Sequence, residues 1–316
     1  MLTVSIVTYK SAEIKAMPSW LNYALLSAVI LGAVNIIEAH ILYKRIPSLK
    51  SYMLLMGAVL LVLGAIFSVI FPVQKAATDP IAGAVITGIL RTGAVIILFF
   101  TLRKEEVSRS IPVFYAYPIF VALLAVPVFG ETMSGFQWLA VVAIAAGSVV
   151  LGARRTERRI FNLTASFWLL LGAAVLMAAA NVLSKYTLEV LSNWNLYWIT
   201  TLCMSLAFLG ISLRRSTVGE ILNMKLRKST TGLVMLNESL SIAGIGLTFL
   251  AIQRGPVSLA AALLASRPLF VLIYSLIIGM AVPSFLIEGR STRKAVLMRV
   301  VGTIMIFSGI VLTYLT

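Results

Sequence analysis

The chain has 316 residues, of which 60% are hydrophobic and 12% charged, and its mean hydropathy is +1.01. A soluble core of this size cannot hide so much apolar surface, so the composition excludes a soluble globular protein and predicts an integral membrane protein. The net charge of +15 comes from short clusters of Lys and Arg between apolar blocks. This is the pattern of membrane topology signals, and it excludes a nucleic-acid-binding surface.

Apolar blocks recur along the chain with about the 20-residue length that an α-helix needs to cross a bilayer. The sequence therefore predicts an all-α protein with ten transmembrane helices joined by short links. The predicted spans lie at about 20–42, 51–72, 81–102, 111–130, 134–153, 165–187, 194–213, 232–252, 257–280 and 296–315.

Four ionisable side chains fall well inside these spans: Glu38 in span one, Arg91 in span three, Glu238 in span eight and Arg267 in span nine. Ionisable groups at this depth face the interior of a bundle or a water-filled cavity, and they often mark transport pathways. The alternative is that two Glu–Arg pairs neutralise each other and only hold helices together.

Other polar side chains accompany these charges. Asn35 and Ser241 lie one turn from a buried Glu, Tyr274 lies two turns after the Arg of span nine, and Tyr115 and Tyr117 lie inside span four. Such a stripe favours a water-filled cavity over a clamp, by which we mean Glu–Arg pairs that only hold helices together. The predicted substrate-binding residues are Arg267, Glu38, Arg91, Glu238, Asn35, Tyr115, Tyr117, Asn181, Ser241 and Tyr274.

Two prolines, Pro118 and Pro268, lie inside spans four and nine. Proline removes a backbone hydrogen bond, so we expect both helices to be kinked in mid-span. The kinks are candidate hinges for alternating access, with static bends as the alternative.

Residues near the ends of spans have a simpler interpretation. We expect Tyr52 to be an interfacial aromatic, and we expect His40 and Lys185 to reach the interface by snorkelling. A role of Glu38 with His40 in proton coupling is the alternative for that pair. No nucleophile–base pair, metal-ligand cluster or phosphate loop is present, so the sequence predicts neither an enzyme nor a cofactor or metal site.

The two halves of the chain resemble each other. An offset of 150 residues aligns 98–121 with 248–271 and pairs Pro118 with Pro268, and an offset of 146 aligns 33–42 with 179–188 and pairs Asn35 with Asn181. Span five has Ala140 and Gly147 where span ten has Gly302 and Gly309, seven residues apart in each case. Because each half has five spans, the two repeats are predicted to be inverted in the membrane, as in many transporters.

The sequence resembles the EamA-type members of the drug/metabolite transporter superfamily. The resemblance is carried in the first half by YPIFVALLAVPVFGETMSGFQWLAVVAIAAGSVVLG (117–152), with Gly130–Glu131 at the end of span four. The second half contributes GPVSLAAALLASRPLF (255–270) and a glycine-spaced last span, but it has only Gly279–Met280 where the first half has Gly–Glu. The resemblance implies two EamA-like five-helix repeats and transport of a metabolite such as an amino acid, with export as the direction.

The predicted domains are an N-terminal tail (1–19), a first repeat (20–153), a basic linker (154–164) and a second repeat (165–316). Nineteen of the 26 Lys and Arg residues lie in the links after odd-numbered spans, if Arg299 in the first turn of span ten is counted with the link before it. The positive-inside rule puts these links in the cytoplasm and both termini outside a cell membrane.

The sequence therefore predicts a secondary active transporter for a small polar metabolite, zwitterionic or anionic because both signs of charge occur within the spans. Its partners are the small-molecule substrate, the lipid bilayer and, in one interpretation, protons. Two repeats in one chain favour a monomer over a dimer. The alternatives are a membrane enzyme, a lipid headgroup-handling protein and a structural membrane protein with paired buried charges.

Overall fold

The structure is a computed structural model that describes residues 18–73, 78–104, 113–152, 165–225, 227–281 and 293–315. Throughout these ranges the regular structure is helical, and they contain no strand. The predicted N-terminal tail, apart from its last two residues, and the whole of the predicted basic linker lie outside the described residues.

The described part of the chain contains twelve α-helices. They are α1 Ser19–His40, α2 Leu49–Ile70, α3 Thr78–Lys104, α4 Tyr117–Phe129, α5 Gly135–Gly152, α6 Ala165–Thr187, α7 Asn193–Ser212, α8 Arg215–Leu222, α9 Arg227–Arg254, α10 Val257–Leu264, α11 Arg267–Ala281 and α12 Arg293–Leu315. A π-helical segment, Ile41–Arg45, continues α1.

Eight helical segments within the described ranges are long and apolar enough to cross a membrane. Two shorter apolar helices, Tyr117–Phe129 and Gly135–Leu151, occupy the places of predicted spans four and five. The prediction of an all-helical, multi-pass membrane protein is confirmed. The arrangement of ten spans in two inverted repeats stays a prediction.

The two prolines do not kink continuous helices, contrary to the sequence-based expectation. Each is the second residue of a new helix, α4 or α11, which begins after a two-residue turn at 115–116 or 265–266. Proline is tolerated in the first turn because an N–H has no intrahelical partner there. The chain therefore breaks before each proline instead of bending around it.

The two breaks have the same backbone hydrogen bonds. Ala116 N donates to Val113 O at 3.3 Å, and Ser266 N donates to Leu263 O at 3.0 Å. One turn later, Ile119 N donates to Ala116 O at 3.1 Å, as Leu269 N donates to Ser266 O at 2.9 Å. Each pair of bonds is related by the 150-residue offset of the sequence alignment.

Helix pairing links the first half of the chain to the second. The most extensive contacts join α1 to α9, α2 to α7, α3 to α6 and α5 to α12. One apolar core cluster lies around the end of α6 and the α9–α10 turn, and a smaller one lies around the start of α2 and the end of α7. The cavity described below is lined by residues of both regions.

Candidate functional site

A cavity of about 380 Å3 lies among α1, α2, α3, α6, α7, α9 and the two helix breaks. This volume falls in the range of small-molecule sites. Nine of the ten predicted binding residues line it: Arg267, Glu38, Arg91, Glu238, Asn35, Tyr115, Tyr117, Asn181 and Ser241. Both halves of the chain contribute to this set, and binding of a substrate by these residues stays a prediction.

Two arginines form one pole of the cavity. Arg267 is the first residue of α11, directly after the turn, and Arg91 lies within α3 with its guanidinium 5.1 Å from the centre of the Phe249 ring. The two guanidinium groups are close enough to repel each other. The Nε atoms of both are buried and have no hydrogen-bond partner among the described residues.

This arginine pole is suited to an anion. The positive end of the α11 macrodipole lies at Arg267, so the helix and the guanidinium have the same sign and repel each other. A carboxylate or phosphate would relieve both repulsions and would accept hydrogen bonds from the free Nε donors.

Two carboxylates form the other pole. Glu238 is 3% exposed, and the Asn237 side chain donates a hydrogen bond to its Oε1 at 3.2 Å. Glu38, on α1, lies near the same Asn237 amide, near Tyr52 and within electrostatic range of Glu238. One carboxylate from each half of the chain therefore lies in the same buried polar cluster.

The clamp interpretation predicts ion pairs between these poles. Across the part of the chain that the structure describes, neither Arg91 nor Arg267 forms an ion pair with Glu38 or Glu238, although the charges of Arg267 and Glu38 act on each other through the cavity. Charged groups that only held helices together would be in direct contact. The geometry favours a cavity whose charges face a ligand.

Hydrogen bonds fix the walls of the cavity. The Asn35 amide donates to the Tyr115 hydroxyl at 3.4 Å, and the Tyr117 hydroxyl donates to Ala261 O at 3.3 Å. The second bond joins the two helix breaks and satisfies a carbonyl beside one of them. Ser148, on α5, donates to Ala265 O at 2.7 Å, so another carbonyl at this break is also paired.

Tyr274 does not line the cavity, unlike the other predicted binding residues. Its hydroxyl donates to the carbonyl oxygen of Val29 at 3.2 Å, so the side chain joins α11 to α1. Two turns of helix separate Tyr274 from Arg267, but the sequence could not show that this face of α11 packs on α1.

Sequence reasoning missed several lining residues. Tyr52, expected at the interface, is 1% exposed, lines the cavity and makes an edge-to-face contact with Phe99 at 5.9 Å. Thr200 and Thr201, on α7, also line the cavity. The only sequence signal for these residues was their mild polarity within apolar blocks, and the position of Tyr52 near a helix start pointed to the wrong role.

The lining of the cavity continues along α1 and α3 to Tyr43 and Phe99, near the C-terminal ends of these helices, and Tyr43 is 49% exposed. We call this end of the molecule the basic-link face, after the Lys and Arg residues that follow both helices in the sequence. The larger apolar core cluster lies at the opposite end, around the α9–α10 turn. Among the described residues, the cavity therefore extends toward the basic-link face.

No group of three or more His, Cys, Asp or Glu side chains among the described residues could hold a metal ion. Cys203 is a free, half-buried thiol whose Sγ lies 3.9 Å from Val85 O.

Comparisons with known proteins agree with the sequence resemblance. No curated protein matches the chain. Twenty-nine chains of solved structures match. One of them, titled only "Crystal structure of protein", has a TM-score of 0.66 at 16% identity and covers 94% of this chain and 97% of its own. At this identity the likeness shows a shared fold.

The family comparison is more specific. Residues 18–153 match the EamA-like transporter family. These residues cover the whole of the first predicted repeat, including Gly130–Glu131. This match over the first half of the chain supports the resemblance to the EamA-type members of the drug/metabolite transporter superfamily.

Proposed function

We propose that this protein is a secondary active transporter that exports a small polar metabolite such as an amino acid by alternating access between two inverted repeats. The observation that carries the proposal is a cavity in which charged residues of both halves meet, and in which no ion pair joins the arginines to the carboxylates among the described residues. A structural protein has no need of such a cavity, and its buried charges would be paired.

The helix pairing supports the inverted-repeat mechanism. In the predicted repeats α1 corresponds to α6, α2 to α7, α3 to α9 and α5 to α12. Under this exchange the α1–α9 pair becomes the α6–α3 pair, and the α2–α7 and α5–α12 pairs each map onto themselves. The matching helix breaks at 115–116 and 265–266 obey the same exchange. Two repeats related in this way can rock against each other around a fixed central site.

The two poles of the cavity favour a zwitterion. The arginine pole would bind a carboxylate or phosphate, and the carboxylate pole would bind a cationic group or the coupling proton. An amino acid presents both charges on one carbon, whereas a sugar phosphate would use the arginine pole alone. Because both repeats that line the cavity belong to one chain, a monomer is sufficient for transport.

The test is flux in proteoliposomes that contain the full chain, with a panel of amino acids, nucleosides and sugar phosphates, with and without a pH gradient. We expect flux of at least one zwitterionic substrate. Arg267→Gln should reduce its apparent affinity by about tenfold or more, because a bond from a charged donor is lost. Lys228→Gln, which removes an exposed positive charge from α9, is the matched control and should leave transport unchanged.

The results that contradict the proposal are equally concrete. Absence of flux for every substrate class, with protein shown to be folded by a cooperative thermal transition, would refute a transporter. Flux that is equally sensitive to Arg267→Gln and Lys228→Gln would refute the role of the arginine pole and leave only a general charge effect.

A further inference from the structure

The turn between α9 and α10, at Gly255 and Pro256, lies beside the larger apolar core cluster, at the end of α9 opposite the basic-link face. Glu131, which follows the end of α4, accepts a hydrogen bond from Val257 N at 2.6 Å and another from Ser258 N at 3.3 Å. The Ser258 hydroxyl also donates to this carboxylate. A carboxylate of the first half thus caps the N-terminus of a helix in the second half, where the helix dipole favours a negative charge.

Lys185, at the end of α6, holds the other side of the same turn. Its Nζ donates to Gln253 O and Gly255 O, each at 2.9 Å. These carbonyls lie at the C-terminal end of α9, where a cation is favoured. The ammonium group is therefore engaged by backbone instead of snorkelling to the interface, and it lies within electrostatic range of Glu131.

Side chains of α1 complete the closure. The Trp20 ring packs so closely on Gly255 that a Cβ at this glycine would come within 2.5 Å of it. Arg254 donates to the Tyr23 hydroxyl at 3.1 Å. The turn is thus held by the ends of three helices, α1, α4 and α6.

The alignment of the two repeats shows that the charged residues of this arrangement occur in only one of two equivalent places in the sequence. The receiving pair Val257–Ser258 aligns with an identical pair, Val107–Ser108, at the 150-residue offset. The same offset aligns Glu131 with Ala281, which has no charge, and the 146-residue offset aligns Lys185 with Ala39. Both charged groups are therefore replaced by alanine in the other repeat, and Ala39 lines the open part of the cavity.

We propose that Glu131 and Lys185 form a latch across the α9–α10 turn that holds this face closed while the transporter is open toward the basic-link face. Alternating access then requires the helix cap at Val257 and Ser258 to be broken once in each cycle. In the sequence alignment both charged groups are alanine in the other repeat, so this latch has no counterpart there. This inference rests on the proposed transport function.

The experiment measures solvent access to a buried position behind the latch. Ala251 is 0% exposed and lies one helical turn from the cavity residue Thr248, on the side of the turn. Ala251→Cys in a Cys203→Ala background is labelled with a membrane-impermeant maleimide in nanodiscs, where both faces meet solvent. Glu131→Gln and Lys185→Gln should each raise the labelling rate by about tenfold, the change expected from the loss of a charge-assisted hydrogen bond.

Asp79→Asn is the matched control. Asp79 is an exposed carboxylate at the start of α3, and its one described hydrogen bond is with its neighbour Thr78. Its replacement should leave the labelling rate unchanged, and Glu131→Asp should give an intermediate rate. A second probe, Met53→Cys in the smaller core cluster, reports general loosening because Met53 is 0% exposed there.

Equal rates in the latch variants and the Asp79→Asn control would overturn the latch. A parallel rise at the Ala251 and Met53 probes would also overturn it, since the substitutions would then only loosen the fold. Labelling needs no substrate. A protein without flux whose latch variants still open would therefore refute the transport proposal and leave the latch standing.

Discussion

The α5–α12 seam allows a quantitative prediction. The two helices approach so closely that a Cβ added to Gly147 would lie 2.8 Å from Gly302 O, and a Cβ added to Gly302 would lie 2.9 Å from Gly147 O. Ordinary contacts of this kind begin at 3.4 Å. Gly147→Ala or Gly302→Ala must therefore separate the helices by about half an ångström, as expected for a seam of small residues packed backbone to backbone.

The magnitude follows from two opposed effects. Overpacking of this kind costs about 1–3 kcal/mol, and replacing a helical glycine by alanine gains about 0.8–1.0 kcal/mol. We expect each variant to lower the free energy of unfolding by up to about 2 kcal/mol on balance. The double variant should lose less than the sum of the two, because one separation of the helices relieves both clashes.

The assay is unfolding of the full chain in mixed micelles of SDS and a mild detergent, followed by far-UV circular dichroism. Gly172→Ala is the matched control, because a Cβ at this helical glycine in α6 would meet nothing within 4 Å. This control should gain up to about 1 kcal/mol from helix propensity alone. Equal changes at Gly147 and Gly172, or additive losses in the double variant, would refute the reasoning.

Two further predictions concern the cavity. If a proton is coupled at the carboxylate pole, Glu38→Gln or Glu238→Gln should abolish the effect of a pH gradient on flux while exchange driven by substrate alone persists; a retained pH-gradient effect in both variants would place the coupling elsewhere. Tyr274→Phe removes the bond to Val29 O, outside the cavity, so the apparent affinity for substrate should stay within about twofold while the protein loses about 1 kcal/mol of stability. A large change in affinity without loss of stability would show that Tyr274 takes part in substrate binding.

Sequence reasoning found most of the polar cavity because bilayer insertion makes intramembrane charge rare. Glu38, Arg91, Glu238 and Arg267 stood out against apolar neighbours, and helical spacing then identified Asn35 and similar residues near them. The rarity of charge within a membrane does not help to identify cavity residues of mild polarity. Tyr52 and the threonines of α7 could not be assigned to the cavity, because tyrosine and threonine are also common in ordinary helix packing and at interfaces.

The prolines show a different limit of sequence reasoning. Their 150-residue register predicted equivalent irregularities in two helices, and both helices are irregular at the predicted places. Whether proline bends a helix or follows a break depends on partners for the freed carbonyls. One such partner, Ser148 for the Ala265 carbonyl, comes from another helix and cannot be inferred from the local sequence.

The sequence by itself determined that the chain is a helical membrane protein, and its internal alignment predicted two related halves, because hydropathy and periodicity are local properties that the bilayer enforces. Only the tertiary structure decided which charged side chains share the cavity and which helix ends Glu131 and Lys185 bind. Glu131 and Lys185 illustrate the reason. Their partners lie 126 and 68 residues away, at helix ends whose free backbone groups are brought to them only by packing of the two halves.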